Sequence, residues 1–118
     1  MFEKLTANVV DKSAWRAWFN VMRGPGSIPT LHVHGSIDVE NEGSDASLEF
    51  EAMTKSLPPT LILRIVPKTI FIPREKGDTK ITLHYFQHFA PGQIGSIIIL
   101  YPDDTSVTID SDSIGIAH

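Results

Sequence analysis

The chain has 118 residues, no cysteine and a formal net charge of −4, which is the size of one domain and excludes disulfides and thiolate metal sites. The opening residues MFEKLTANVVDKSAW show no apolar stretch with a small-residue cleavage site, and no apolar run approaches the length of a membrane span. The expectation is one cytoplasmic domain over residues 1–118 with no membrane partner; nucleic acid is also disfavoured, because residues 31–53 hold six acids and no base and the bases elsewhere are scattered rather than striped.

In chain order, residues 11–24 come first and support two readings. Trp15, Trp18, Phe19 and Met22 fall at helical spacing, with Asp11 as a cap and Gly24-Pro25 as a stop. Trp15, Ala17, Phe19 and Val21 alternate as a strand would. The preferred expectation is one short helix near residues 12–23, covering an open end of the fold. The next run, TLHVHGSIDVE (30–40), alternates cleanly: Leu31, Val33, Ile37 and Val39 on one face, His32, His34, Ser36 and Asp38 on the other. After the turn NEGSD (41–45), ASLEFEAM (46–53) alternates again, with Ala46, Leu48, Phe50 and Ala52 inward. These two runs read as a hairpin.

Pro58-Pro59 interrupts the chain before the β-branched strand TLILRIV (60–66). TIFI (69–72) reads as a further short strand, ended by Pro73. KITLHYFQHF (80–89), the strongly apolar Ile94–Tyr101 and SVTID (106–110) complete the set, with Ile94–Tyr101 expected at the centre of a sheet. Seven or eight short strands at regular spacing predict an all-β fold, two packed antiparallel sheets of immunoglobulin-like shape. The predicted core includes Leu31, Val33, Ile37, Leu48, Phe50, Leu61, Leu63, Ile65, Ile81, Leu83, Ile98 and Leu100.

Histidines supply the candidate site. His32 and His34, two apart in a strand, share a face and can pinch a metal ion between their imidazoles. His84 and His88 stand about 13 Å apart along their strand, so only one of them, His84 first, could join the pair, and only if the two strands are neighbours. Solvent-facing histidines that bind nothing are the simpler outcome. Other chemistry lacks its parts. There is no G-x-S-x-G elbow, and Gly24-Pro25-Gly26-Ser27 lacks the lysine of a phosphate loop. Asp110-Ser-Asp112 starts like a calcium loop, but Ile114 stands where a ligand is needed. No catalytic or cofactor-binding residue is assigned.

Two resemblances bear on this reading. Gly26-x5-His32-x-His34 is similar to the opening of the first cupin motif, which implies a metal held by those histidines. The chain departs from that motif at Asp38 and Glu40, neither of which is a glutamate at the required place, and in having no histidine after Pro91-Gly92 where the second motif needs one. Trp15-x-Ala17-Trp18-x-Asn20-x-Met22, followed by Pro29-Thr30-Leu31-His32-Val33-His34-Gly35, resembles short uncharacterised bacterial proteins with a single immunoglobulin-like β-sandwich. That resemblance implies the fold and carries no activity. The leading expectation is therefore a non-enzymatic binding or accessory module acting through protein–protein contacts or self-association, with Phe86 and Phe89 as exposed anchors. The alternatives are a metal site on His32, His34 and His84, and a small-ligand pocket near Trp15 and Trp18.

Overall fold

The computed structural model describes residues 15–21, 24 and 26–117. They form eight strands: β1 (Trp15–Asn20), β2 (Thr30–Asp38), β3 (Ser44–Met53), β4 (Thr60–Thr69), β5 (Lys80–Gln87), β6 (Ser96–Leu100), β7 (Ser106–Asp110) and β8 (Ile114–Ala117). A single 3-10 turn, Ser111–Ser113, links β7 to β8. The strands make two four-stranded sheets, ordered β5-β2-β1-β8 and β3-β4-β6-β7, packed as the expected all-β sandwich.

Each sheet buries every second side chain, and the register aligns these into rows. In the first sheet, Phe19 lies opposite Leu31, Ala17 opposite Val33, and Trp15 opposite Gly35, which in turn faces Leu83. In the second, Leu61, Ile97 and Ile109 form one row and Leu63, Ile99 and Val107 the next. All of these except Gly35 belong to one buried apolar cluster. Gly35 makes room for the Trp15 ring: a Cβ there would stand 2.2 Å from Trp15 Cε3. The indole Nε1–H of Trp15 donates to the Tyr101 hydroxyl oxygen at 2.7 Å, and the two rings meet edge to face at 6.5 Å. Burial pushes the Tyr101 phenol up to about 12, so the ring stays neutral at any ordinary pH.

Several expectations are corrected. Residues 15–20 form a strand, not a helix, because β1 is paired on both sides, with β2 and with β8. Asp11, Met22 and Pro25, which framed the helical reading, lie outside the described residues. The runs 30–40 and 46–53 are not a hairpin: β2 belongs to the first sheet and β3 to the second, so the turn after Val39 crosses between layers. Pairing is not wholly antiparallel, since β1–β8 and β4–β6 run parallel.

Three expected core positions also differ. Ile98 and Leu100 point outward, and Ile97 and Ile99 fill the interior instead. Phe50 keeps its inward register against Leu63, but it lies on an edge strand beside a bulge and is 49 % exposed. The expected strand at 69–72 ends with β4 at Thr69. Beyond it the Ile70 N–H bonds Gly43 O and the Arg74 N–H bonds Glu42 O. These two anchors turn Phe71 and Ile72 out into solvent.

Candidate functional site: a ring ladder on the first sheet

The outer face of the first sheet collects the rings that the inner face does not use. Alternation in β1 sends Trp15, Ala17 and Phe19 inward and Arg16 and Trp18 outward. In β2 it sends His32 and His34 outward, and in β5 His84 and Phe86. Register then sets Trp18, His32 and Phe86 in one cross-strand row, and Arg16, His34 and His84 in the next. Trp18 and His32 lie nearly parallel with centroids 5.2 Å apart, and His32 and Phe86 follow at 6.2 Å. His34 meets His84 edge to face at 5.9 Å. The Arg16 guanidinium sits 5.9 Å from the Trp18 ring centre, within reach of a cation–π contact.

The two rows are tied by one hydrogen bond. His32 Nδ1 and His84 Nε2 are 3.0 Å apart, while their rings are 7° from parallel with centroids 5.3 Å apart. Face-to-face stacking would bring the centroids closer than that. The rings therefore lie edge to edge in nearly one plane, one nitrogen donating and the other accepting, which requires at least one neutral ring. Partial burial between its neighbours, then the charge of His84, lowers the His32 pKa from its usual value.

The expected condition for a three-histidine metal site is met in topology, since β2 and β5 are neighbours and His34 faces His84. It is not met in geometry. The nitrogens of His32 and His84 aim at each other rather than at a shared third point, and among the described residues no three His, Asp or Glu side chains are placed to hold one ion. His88 lies elsewhere, with Nδ1 3.2 Å from the Thr30 hydroxyl. Of the two expected aromatic anchors, Phe86 is exposed and Phe89 packs against the core.

A cleft of about 500 Å³ opens beside the ladder where the chain crosses from β7 to β8, with Trp15, Trp18, Ile109, Asp110, Ser113 and Gly115 among its walls. Gly115 faces Trp18 across the β1–β8 pairing and carries no side chain, so the row of rings ends there. The preferred helical expectation set Trp15 and Trp18 on one face. The parity of β1 separates them, Trp15 inside and Trp18 in the ladder, a signal legible only once β1 is known to be a strand.

Lowering the His32 pKa has a consequence for stability. A histidine whose folded pKa is depressed stabilises the native state above the unfolded value of about 6.5. That contribution fades as pH falls below it, because the unfolded chain then binds more protons. The Arg16 guanidinium adds positive charge nearby. The only carboxylate in the outward positions of β1, β2 and β5 is Asp38, which faces Lys80. The melting temperature is therefore expected to fall more steeply between pH 7.5 and 5.5 in the wild type than in His32→Gln; parallel profiles would show that the pair carries no linked proton.

Compared with known proteins, the chain matches no family model, no curated protein and no solved structure. Among the described residues no helix is long and apolar enough to cross a membrane.

Proposed function

We propose that the protein is a non-enzymatic binding module that meets a protein partner with the outer face of its first sheet. The observation that carries this reading is the ladder itself. Five rings from three adjacent strands form a continuous surface, and its outermost member, Phe86, is 64 % exposed. Aromatic side chains bring large contact area at low entropic cost and dominate protein–protein contacts when clustered. The opposite face is built differently. Glu51 holds Arg64 at 3.2 Å and Glu49 lies 3.6 Å from Lys68, the pattern of a solvated surface. Among the described residues the ladder has no such pairs, and its imidazoles sit beside aromatic rings.

The test is retention of a partner from extract of the source cells, followed by reconstitution of the purified pair. Wild type should hold the partner, and Trp18→Ala/Phe86→Ala should weaken it by about thirtyfold or more, the effect of losing a central anchor. A partner held equally well by the double variant would place the contact elsewhere.

A further inference from the structure

A sandwich has open edges, and sheet proteins guard them with short strands, charges, bulges or proline. Three of the four edges here are guarded. β3 carries a register shift between Phe50 and Ala52 and the acids Asp45, Glu49 and Glu51. β7 has five residues and β8 has four. The fourth, β5, has eight residues, no proline, no register shift against β2, and only one Lys, Arg, Asp or Glu, Lys80 at its first position.

The free groups on this edge can be identified. The Val39 N–H donates to Thr79 O at 2.7 Å, and this pair continues the register in which Asp38 faces Lys80. Antiparallel bonding alternates, so Leu83 and the other odd positions turn their backbone groups towards β2. Lys80, Thr82, His84 and Phe86 turn theirs away. Among the described residues these groups have no backbone partner.

We propose that β5 pairs antiparallel with β5 of a second copy about a two-fold axis, joining the two first sheets into one. The same row of donors and acceptors, reversed, is its own complement, as an isologous contact requires. Pairing even positions with even positions keeps Thr82, His84 and Phe86 of both copies on one face. It also sends the two Lys80 side chains to opposite ends of the contact, so like charges do not meet. This inference rests on the preceding reading only for its purpose: the joined sheets carry two ladders on one continuous surface.

The test is equilibrium sedimentation of the full chain at micromolar concentration. Wild type should run at twice the chain mass. Thr82→Pro removes one outward N–H and leaves the β2 pairing intact. It should weaken the dimer by on the order of tenfold to a hundredfold, one lost bond per copy. Thr82→Lys, which sets a charge on the edge, should act in the same direction and serves if the proline variant fails to fold. Trp18→Ala, two strands away, should leave the dimer intact. A monomeric wild type overturns the inference, as does a dimer that survives both Thr82 variants. A dimer lost in Trp18→Ala but kept in the Thr82 variants would overturn the edge pairing while sustaining the ladder as a contact surface. Loss in the Thr82 variants, with partner capture indifferent to the ladder, would sustain the dimer and reject the ladder.

Discussion

Gly35→Ala should destabilise the domain by about 3 kcal/mol, at the upper end for overpacking a filled core. In a chain of this size that corresponds to a fall in melting temperature of more than about 10 °C. The cause is specific. An added Cβ would stand 2.2, 2.4 and 2.6 Å from three atoms of the Trp15 ring, and no side chain adopts such contacts. The indole cannot yield freely, because its Nε1–H is fixed to Tyr101 and its ring is buried in the core cluster. Gly115→Ala is the control. Its Cβ would meet Trp18 Cβ at an ordinary 3.7 Å, and its melting point should stay within a few degrees of wild type. Equal melting points for the two variants would mean that Trp15 is not packed over Gly35.

Tyr101→Ala should cost about 4 kcal/mol, the range for truncating a buried aromatic residue. Tyr101 is the largest of the fully buried side chains. Its loss leaves a cavity between the sheets and strands the Trp15 N–H without its acceptor. Tyr101→Phe separates the two effects. It keeps the volume and the edge-to-face contact and removes only the acceptor, so it should cost about 1–3 kcal/mol, the penalty for one unsatisfied buried donor. Denaturant unfolding of the three proteins measures both steps. A phenylalanine variant as unstable as the alanine variant would show that the hydrogen bond, and not the packing, holds the two sheets together here.

Much of this core was legible because alternation carries phase. In 30–40 the polar residues His32, His34, Ser36 and Asp38 mark the outer face, and Leu31, Val33, Ile37 and Val39 are buried as read. In Ile97–Leu100 every residue is aliphatic. Nothing in the run fixes the phase, and the expected core was displaced by one residue. Phe50 failed for a different reason: its register is right, but an edge strand leaves even an inward ring half open. The turn at 41–45 was legible as a turn, but composition does not say whether a turn returns within a sheet or crosses to the other.

The site was legible only in pieces. Spacing showed that His32 and His34 share a face. It could not show that β5 lies beside β2, which is what brings His84 and Phe86 to them, nor that β1 supplies Trp18 from the other side. The ladder is a product of three-strand register, and register between distant segments is not written in local sequence. The same property explains why two of the imidazoles bond to one another. Cross-strand placement brought His32 and His84 nitrogen to nitrogen, a relation that residue spacing alone does not define.

The most direct test of the ladder as a contact surface is site-specific photo-crosslinking in the source cells. A photoreactive phenylalanine analogue would replace Phe86 in the ladder and, separately, Phe71 on the exposed loop after β4. An adduct with a protein at position 86, and none at 71, is the result expected if the first sheet is the binding face. Adducts confined to position 71, or none at position 86, would contradict it and move the contact off the first sheet.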